Sequence, residues 1–518
     1  MPLDLTNVGG TTGAEPSAAG LVSGLTSPDG LAELCGRVPL ARTLYEHFRE
    51  RIMAGEYGVG TRLPTVRVVA DRVRSTPETV AVAYRMLAAD GLVRTRTGAG
   101  TVVLWRPSAA ARTGVCPATL VPALGTPSYH ETYRRLLQLD RAPRYAGFAS
   151  YVLPPELFLP GLGRRLRRVV TREGSRVLEM GPPEGDEGLR AVVVKRLECA
   201  GVVASPRNVI VTNGAQEGLG LVFRALVAPG DTVVVESPTY LGALDALASL
   251  GARVLGVPMG PDGADLDTLE ATVARARPKL FYTMPTHQNP TGLTMREAQR
   301  LRLLALARRY DFVVIEDAAA GELGYEGPAP MPLLGLDRDE LVVHVGTFSK
   351  TLASGIRIGY IVAPGGLVEP LLRLKYVSNV HAPVLLQRLV CDVALARGWR
   401  NHVAHVRRVC RTRRDAMLSA LGRVLSGRAT WTVPGGGFSV WVSLAPDLDA
   451  AELFRLAIDR GVSFVPGAVF FPGDMQHHTF RLCFSTTPPE VIDRGVAVLG
   501  EALAELGDDR RPRRQLLV

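Results

Sequence analysis

The chain has 518 residues, enough for about three compact domains of roughly 150 residues each, which excludes a single small domain. Apolar residues make up 47% of the chain and charged residues 21%, proportions that are typical of globular protein and exclude a globally disordered or collagen-like chain. Sixty Lys and Arg residues against fifty Asp and Glu residues give a net charge of +10, which is only a weak indication of an anionic partner in so long a chain.

Six cysteines are spread along the sequence without a CxxC pair or a Cys/His cluster of the spacing that zinc sites need. We therefore predict no metal site and a reducing, cytoplasmic location. The first ten residues contain an acid, lack a basic segment and lack an apolar stretch of signal-peptide type. No run of about 18 apolar residues follows, so the sequence predicts a protein that is neither secreted nor membrane-spanning.

Composition and periodicity divide the chain into five segments. Gly, Ser, Thr and Ala dominate the first segment without a helical or strand period, and prolines interrupt the third. The predicted segments are a disordered tail at 1–36, a winged helix at 37–106, a Pro-rich linker at 107–145, an α/β domain at 146–505 with a smaller carboxyl-terminal lobe from about 385, and a basic tail at 506–518.

The second segment carries three helical patterns and one hairpin pattern. Apolar residues recur at every fourth position from Leu40 to Ile52, and a second apolar stripe follows Pro64. Ser75-Thr76-Pro77-Glu78 is typical of the start of a third helix, with a capping hydroxyl at Ser75 and an acid three residues later. Two short β runs then surround a Gly-containing turn. Three helices followed by a hairpin predict a winged helix, which is an α+β domain.

Charge favours DNA as the partner of this segment. Twelve arginines, no lysine and six acidic residues lie between positions 37 and 106, so the segment holds +6 of the net charge. A basic helix-turn-helix with a basic wing is typical of duplex DNA binding, because phosphate contacts supply most of the affinity. The alternative is a solvated basic surface without a partner. The predicted DNA-contacting residues are Arg67, Ser75, Thr76, Thr79, Arg94 and Arg96.

From residue 146 onward, apolar strand-like runs alternate with helical stretches, which predicts an α/β domain with a mainly parallel sheet. Beyond about residue 385 the pattern changes to an Arg-rich helix, short strands and a last helix, which predicts a small α/β lobe. We expect one polar set on the Arg-rich helix to be solvated or to face a second subunit: His402, His405, Arg407, Arg408, Arg411, Arg413 and Arg414. The predicted strands are 208–212, 232–236, 253–257, 280–284, 312–316 and 341–345.

The most informative motif is Gly346-Thr347-Phe348-Ser349-Lys350, which directly follows a predicted strand. A lysine at this position can form a Schiff base. Thr347, Ser349 and Arg357 supply hydroxyls and a guanidinium that could hold a phosphate. Taken alone, Lys350 also fits an exposed lysine in a Ser/Thr loop, so the interpretation depends on the motifs that accompany it.

A second motif opens a helix after another predicted strand. Gly214, Ala215 and Gln216 lie at this helix start, where free backbone N–H groups and the helix dipole favour an anion. Many strand-to-helix turns contain glycine, so this phosphate-binding signal is weak by itself. The motif adds to the evidence only because it accompanies the lysine loop.

Three more strand ends and one later segment complete the pattern. The strand ends are Glu236-Ser-Pro-Thr-Tyr240, Pro285-Thr-His-Gln-Asn-Pro-Thr-Gly292 and Val314-Ile-Glu-Asp317, and the later segment is Thr479-Phe-Arg-Leu-Cys-Phe484. Their order across residues 146–505 resembles that of the fold type I aminotransferases of class I/II, which use pyridoxal 5'-phosphate (PLP). The resemblance implies that Lys350 binds PLP, Tyr240 stacks on its ring, Asn289 donates to its phenolic oxygen and Asp317 pairs with its pyridine nitrogen, with Lys350 and Asp317 the catalytic residues. It assigns the substrate carboxylate to Arg481. Taken alone, Tyr240 and Arg481 also fit packing and ion-pair roles.

The winged helix resembles the GntR superfamily, and its fusion to an aminotransferase-like domain resembles the MocR-type transcriptional regulators. This resemblance implies a homodimer that binds DNA and senses PLP, alone or joined to an amine or amino acid. The alternative is a PLP-dependent enzyme, an aminotransferase or a relative with carbanion chemistry on an amino acid, in which the winged helix is vestigial. Because the PLP site is sufficient for such chemistry, the sequence leaves the enzyme question open.

The sequence departs from the families that it resembles at three places. Ala318-Ala319-Ala320 follows Asp317 where the aminotransferases usually supply a tyrosine to the cofactor's phenolic oxygen. Met180 stands where relatives often carry a tyrosine that reaches a neighbouring subunit, and Pro77 replaces a frequent arginine at the start of the recognition helix. These departures put transamination and sequence-specific DNA contacts in doubt.

Overall fold

The computed structural model describes residues 40–53, 56–96, 100–104, 146–327, 330–396, 398–473 and 476–508. The chain separates into two compact units, Met1–Ala123 and Leu124–Val518. The predicted tail 1–36, the linker 107–145, the wing turn 97–99 and all but the first three residues of the predicted basic tail lie outside the described residues. None of the described helices is long and apolar enough to cross a membrane.

The first unit contains the predicted three helices and hairpin. Its elements are α1 (Leu40–Met53), α2 (Val66–Arg72), α3 (Pro77–Ala89), β1 (Val93–Arg96) and β2 (Gly100–Val103). The strands pair antiparallel with Val93 opposite Val103. Leu44 and Phe48 of α1 pack with Val80 and Leu87 of α3 in one buried cluster, so the predicted apolar stripes form the core. The winged-helix prediction is confirmed.

The start of α3 differs in detail from the prediction. Thr76, not Ser75, is the capping residue, because its Oγ1 accepts a hydrogen bond from the Thr79 N–H at 3.3 Å. Pro77 is the first helical residue, where its missing N–H costs nothing. Glu78 does not reach back to the cap, and its carboxylate instead pairs with Arg85 at 2.9 Å. The recognition helix therefore begins one residue later than the capping-box pattern indicates.

The second unit is built on an eight-stranded sheet in the order β4-β11-β10-β9-β8-β5-β6-β7. Its strands are β4 (Val209–Thr212), β5 (Thr232–Ser237), β6 (Arg253–Gly260), β7 (Gly263–Ala264), β8 (Leu280–Thr283), β9 (Val313–Asp317), β10 (Val342–Thr347) and β11 (Gly359–Val362). Neighbours from β10 to β6 are parallel, whereas β11 and β7 run antiparallel to their neighbours. All six predicted strands are present, and the mainly parallel sheet is confirmed.

Helices cover this sheet and form most of the smaller lobe. They are α4 (Leu162–Glu173), α5 (Glu187–Glu198), α6 (Ala215–Leu226), α7 (Leu241–Ser249), α8 (Leu266–Ala276), α9 (Glu297–Tyr310), α10 (Leu333–Leu336), α11 (Gly365–Asn379), α12 (Val384–Ala394), α13 (Trp399–Val424), α14 (Ala450–Asp459) and α15 (Pro489–Asp508). The central strand β8 and the edge strand β4 are both buried along their whole length. This explains their continuous apolar runs, which differ from the alternating pattern of a half-exposed strand.

The smaller lobe is centred on an antiparallel sheet in the order β12-β13-β16-β15. Its strands are β12 (Ala429–Trp431), β13 (Ser439–Leu444), β15 (Val465–Pro466) and β16 (Thr479–Cys483), and a separate parallel pair joins β3 (Ala146–Gly147) to β14 (Val462–Ser463). Residues from α13, α14, α15 and these strands share one buried cluster. The first described residues of the unit are therefore paired with its carboxyl-terminal part.

Three polar residues of α13 contradict the expectation of a solvated surface, because His402, Arg413 and Arg414 are all buried. His402 Nε2 lies 2.8 Å from the Thr351 carbonyl oxygen, directly after the lysine loop. Arg413 pairs with Glu156 at 3.1 Å, and Arg414 pairs with Glu326 at 2.7 Å. Their partners come from distant parts of the sequence, so these side chains join elements of the unit to one another.

Candidate functional site

The carboxyl ends of β5, β8, β9 and β10 meet at one edge of the large sheet, which is where ligands bind in open parallel sheets. A cavity of about 180 Å³ opens there. Its lining includes nine of the sequence-predicted residues: Ala215, Gln216, Tyr240, Asn289, Asp317, Thr347, Ser349, Lys350 and Arg357. Tyr151, Val152, Met284 and Ala319 complete the lining and were not predicted. The structure therefore brings together motifs that are separated by up to 142 residues in the sequence, from Ala215 to Arg357.

Lys350 follows β10 and points into this cavity. Its Nζ donates a hydrogen bond to the Tyr151 carbonyl oxygen at 2.6 Å and lies 5.0 Å from the centre of the Tyr151 ring. Removal of the amine from water lowers the pKa of Lys350 to about 8, with further lowering by the nearby Arg481 and Arg357 charges. A larger neutral fraction near neutral pH makes this amine a better nucleophile than an exposed lysine.

Asp317 ends β9, lines the cavity and is buried. The Tyr282 hydroxyl donates to its Oδ2 at 2.8 Å, and the Ala319 N–H donates to its Oδ1 at 3.0 Å. Burial raises the pKa of Asp317, whereas the two hydrogen bonds and the nearby Lys350 charge lower it. These donors favour the carboxylate form, which is the form that can hold a protonated ring nitrogen.

An anion cradle lies between the start of α6 and the loop after β10. Gly214 caps α6 at φ 84°, and a Cβ there would lie 2.5 Å from an Arg357 guanidinium nitrogen. Thr347 Oγ1 accepts from the Ser349 N–H at 3.1 Å, and Arg357 donates to Ser349 Oγ at 3.4 Å. A guanidinium, hydroxyls and a helix amino end thus converge on one point, which suits a phosphate.

Tyr240 is fixed by its hydroxyl. This group donates to Gln216 Oε1 at 3.0 Å, while Gln216 Nε2 donates to the Gly242 carbonyl oxygen at 2.7 Å. The ring of Tyr240 therefore lines the cavity in a defined orientation. Gln216 acts here through its side chain, whereas the sequence pattern assigned its position to backbone binding of an anion.

Arg481 and Asn289 form a buried pair behind the cavity. Arg481 donates to Asn289 Oδ1 at 2.9 Å and to the Ala149 carbonyl oxygen at 2.7 Å. Because Asn289 Oδ1 is engaged in this way, its amide nitrogen is the polar group that remains for the cavity. The Tyr151 ring lies close to both Arg481 and Lys350, with its centre 5.6 Å from the guanidinium carbon and 5.0 Å from Nζ.

The loop that carries Asn289 rests on a buried polar network that the sequence analysis missed. Gln288 donates to Glu236 at 3.2 Å and to the Pro238 carbonyl oxygen at 2.7 Å, and it accepts from the Thr291 N–H and hydroxyl. Burial raises the pKa of Glu236 to about 7. This network fixes the backbone on both sides of Asn289. Only the adjacency of Gln288 to the Asn-Pro-Thr-Gly motif could have indicated it.

The predicted DNA-contacting residues lie in the first unit. Arg67 on α2 and Arg94 on β1 are exposed, and their side chains make no ion pair or hydrogen bond with any described residue. Thr76 is exposed, and its Oγ1 lies 2.9 Å from Thr79 Oγ1, so these two predicted contacts also form the cap of α3. Ser75 is partly buried just before this cap. Arg96 ends β1, but its side chain lies outside the described part of the chain.

Comparisons with known proteins agree with this two-part construction. The family model "Aminotransferase class I and II" matches residues 162–499, and the model "Bacterial regulatory proteins, gntR family" matches residues 40–103. The first match covers more than half of the chain. The chain therefore belongs to the aminotransferase class I and II family and carries a GntR-type winged helix before that domain.

Individual relatives fall into two groups. The 2-aminoadipate transaminase of Thermus thermophilus is 38% identical over 380 residues, which cover 72% of this chain and 94% of that protein. The probable rhizopine catabolism regulatory protein MocR of Rhizobium meliloti is 30% identical over 475 residues, covering 90% of this chain and 94% of that protein. The regulator therefore matches both units, and the fusion is of the MocR type.

A solved relative connects the cavity to a cofactor. The structure of the α-aminoadipate aminotransferase LysN from Thermus thermophilus was determined in complex with N-(5'-phosphopyridoxyl)-L-leucine. It is 35% identical, with a TM-score of 0.67, and the match covers 74% of this chain and 100% of that chain. The family match and this relative indicate PLP as the cofactor of the chain.

Proposed function

We propose that this chain is a transcriptional regulator of the MocR type that binds duplex DNA through its winged helix and responds to PLP, alone or joined to an amine or amino acid, at Lys350. The observation that carries the proposal is the presence in one chain of a GntR-type winged helix with exposed arginines and an aminotransferase-type lysine cavity. A match to MocR over 90% of this chain supports the same conclusion.

DNA binding is assigned to the exposed cations and hydroxyls around α3. Arg67 and Arg94 lack intramolecular partners among the described residues, so they are available to phosphates without breaking an existing ion pair. The amino end of α3 presents Thr76 and Thr79 beside the helix dipole, which also favours a phosphate or a base edge. Affinity from such contacts falls steeply with salt.

The cavity fits PLP residue by residue. Arg357, Thr347, Ser349 and the amino end of α6 would hold the phosphate, and any side chain at Gly214 would fill this cradle. Asp317 would hold the ring nitrogen, the Asn289 amide would donate to the ring oxygen, and Tyr240 would stack on the ring. When bound, PLP supplies an aldehyde that captures primary amines and a ring that withdraws electrons.

Lys350 and Arg481 determine which amine or amino acid could bind beside PLP. The neutral Lys350 amine would hold the PLP aldehyde, and the same amine could accept or donate a proton beside the bound cofactor. The buried Arg481 would bind the carboxylate of an amino acid, in exchange for its contact with the Ala149 carbonyl oxygen. An α-amino acid could therefore bind through its amine at the PLP aldehyde and through its carboxylate at Arg481. A simple amine could bind only at the aldehyde.

A homodimer in the cytoplasm is part of this proposal. Leu178 and Met180 are 80% and 76% exposed after α4, and Tyr376 and Val377 on α11 are 58% and 78% exposed. Each pair places two exposed apolar residues close together in the sequence, and contiguous exposed apolar surface marks an interaction site. A second copy of the chain is the occupant that we assign to them, and molar mass in solution tests this assignment.

The second candidate function is PLP-dependent enzyme activity on an amino acid. The buried Arg481–Asn289 pair favours it, because a preformed carboxylate site is useful for turnover as well as for sensing. The 38% identity to a 2-aminoadipate transaminase points in the same direction. Ala319 lines the cavity in the region where an aminotransferase tyrosine is expected, so the phenolic donor to the ring oxygen is missing.

The experiment that tests the regulator proposal is fluorescence anisotropy of the purified chain on duplexes that tile the intergenic region upstream of its own gene. The proposal predicts that one duplex binds more tightly than the others at two salt concentrations. Uniformly weak, salt-sensitive binding to every duplex contradicts it. In that case, keto-acid formation from amino-acid and keto-acid mixtures tests the enzyme alternative.

A further inference from the structure

We infer that the second unit carries its own DNA-contacting surface, the arginine face of α4, which consists of Arg164, Arg167, Arg168 and Arg172. This inference rests on the proposed function, because it assumes that the chain binds DNA. The four residues recur at intervals of three, one and four along the helix, so they lie on one side of it. All four are exposed. They span nine helical positions, or about 12 Å along the axis.

Local charge is strongly positive at this helix, although its unit as a whole is nearly neutral. Residues 146–508 contain 39 basic and 37 acidic residues, a nearly balanced set. Residues 162–178, which include α4 and the turn after it, contain six arginines against one acidic residue, Glu173. The rest of the unit therefore has a net negative charge, and α4 is one of two strongly basic helices in it, the other being α13 with seven arginines and one acidic residue. The positive field of such a helix attracts a polyanion and orients it.

Most of these arginines are not neutralised by the protein. Arg164, Arg167 and Arg168 make no ion pair or hydrogen bond with any described residue. The two nearby acids are already engaged, since Asp392 pairs with Arg165 at 3.0 Å and Glu173 pairs with Arg172 at 2.8 Å. A cavity of about 330 Å³ adjoins the helix, and Arg165, Arg168, Arg172 and Arg388 contribute to its lining.

Other arginine-rich helices of the unit are built differently. On α9, Arg302 pairs with Asp267, Arg308 pairs with Asp339 at 3.7 Å, and Arg309 pairs with Glu270 at 2.8 Å. On α13, Arg413 and Arg414 pair with glutamates, as described above. Arg411 of α13 pairs with Glu326 at 3.4 Å, Arg407 donates to the Glu322 carbonyl oxygen, and Arg408 lies against His405. Most arginines of these two helices therefore have a polar partner, whereas three of the four side chains on the arginine face of α4 have none among the described residues.

The cluster is also unfavourable for the helix that carries it. Like charges at spacings of three and four repel one another on a helix surface. Arg164 and Arg165 lie in the first turn, where the positive end of the helix dipole disfavours cations, and that turn has no acidic residue. An arrangement of charges that destabilises its own helix indicates a binding role. The polyanion that we assign to it is the DNA backbone, because the proposed function already has the first unit bind DNA.

The test compares three variants of the full-length chain on a mixed-sequence duplex, over a series of salt concentrations. The first variant carries Arg164→Gln, Arg167→Gln and Arg168→Gln. Glutamine is a good helix former and removes the repulsion, so this variant is expected to keep its circular dichroism spectrum and thermal midpoint. Each lost phosphate contact should reduce the slope of log K against log salt by about 0.9, so we expect a reduction of about 2 to 3.

The matched control carries Arg302→Gln, Arg308→Gln and Arg309→Gln, which remove the same charge from ion-paired positions on α9. The slope of log K against log salt for this control should differ from the native slope by no more than about 0.9, the contribution of one phosphate contact. If both triple variants reduce the slope equally, only net charge matters and the inference fails. An unchanged slope in the α4 variant also overturns it.

The third variant, Arg67→Gln with Arg94→Gln, separates this inference from the proposed function. If it weakens DNA binding while the α4 variant does not, the winged helix alone contacts DNA and only the present inference is wrong. If the native chain binds no duplex, the proposed function fails, and this inference fails with it. Reduced slopes in both the α4 and winged-helix variants, with a normal α9 control, support two DNA-contacting surfaces.

Discussion

The Arg481 guanidinium donates to the side-chain oxygen of Asn289 at 2.9 Å, across 192 residues of sequence. Arg481 lies on β16 of the small lobe, and Asn289 follows β8 of the large sheet. The pair therefore connects the proposed carboxylate site to the proposed contact with the cofactor's ring oxygen. A ligand that changes the orientation of Arg481 also changes the hydrogen bonding of Asn289.

Replacing Arg481 with lysine should discriminate between amino acids and simple amines. Arg481→Lys keeps the positive charge but loses the planar pair of donors. Hydrogen bonds to charged groups contribute about 1.5–3 kcal/mol, so we expect the affinity of the PLP-loaded chain for an amino acid to fall about 10- to 100-fold. Its affinity for the amine that lacks the carboxylate should not change. Equal losses for the two ligands, measured by spectral titration, would contradict the carboxylate role of Arg481.

Lys350 should be necessary for the visible absorbance of the bound cofactor. The chain has only four lysines, and Lys195 and Lys279 are exposed, so Lys195→Ala and Lys279→Ala are suitable controls. We expect Lys350→Ala to abolish the visible band that PLP gives when it is joined to a protein amine, and both controls to keep it. A native spectrum in Lys350→Ala would reject the assignment of the site.

The rate of PLP binding should depend on pH through the same amine. Burial lowers the pKa of Lys350 to about 8 from the ordinary value of 10.5. Only the neutral amine binds an aldehyde, so the rate constant should rise with pH and reach half of its maximum near pH 8. Stopped-flow absorbance measures this constant. A midpoint near 10.5 would show that the amine is as exposed to water as a surface lysine.

Gly214 should be intolerant of any side chain. A Cβ would lie 2.5 Å from the Arg357 guanidinium, and the φ of 84° is strained for an L-residue. Gly214→Ala should therefore displace Arg357 and lower PLP affinity about 10- to 100-fold, the effect expected from losing a charge-assisted contact. Gly220→Ala on the same helix is the matched control, because a Cβ there meets no atom within 4 Å. Similar PLP dissociation constants for the two variants would exclude the phosphate cradle.

Tyr282 should control the charge of Asp317. Its hydroxyl donates to the carboxylate and thereby lowers the pKa of Asp317 against the raising effect of burial. In Tyr282→Phe the pKa of Asp317 should rise, so PLP affinity should begin to fall at a higher pH when the solution is acidified. Tyr325→Phe removes another buried phenol, one that donates to the Gly437 carbonyl oxygen, and serves as the control. Superimposable pH profiles for the native chain and Tyr282→Phe would show that Tyr282 only fills space.

Sequence reasoning predicted the parts of the site that follow a strand directly. Lys350, Asp317 and Asn289 come just after apolar runs, so their positions at one sheet edge follow from strand parallelism. Tyr282 could not be predicted, because it lies inside the buried run of β8 and its partner is 35 residues away. Tyr151 contacts Lys350 through its backbone carbonyl across 199 residues, and no side-chain pattern encodes such a contact.

The burial of arginines on α13 could not be predicted from the sequence either. Arg413 and Arg414 were expected at the surface because arginine is rarely buried unless it is paired. Their pairing acids, Glu156 and Glu326, come from segments 257 and 88 residues away. Such compensation depends on tertiary structure and leaves no periodic signal in the helix itself.

The central claim is that occupancy of the Lys350 site changes how the chain binds DNA. Fluorescence anisotropy with the preferred duplex tests it most directly, on native chain and Lys350→Ala, each with and without PLP and a series of amino acids. The account predicts that PLP or an amino acid shifts the native dissociation constant, while Lys350→Ala binds the duplex but does not respond. A native chain whose DNA affinity is independent of PLP and amino acids, or a Lys350→Ala variant that responds fully, would contradict the claim.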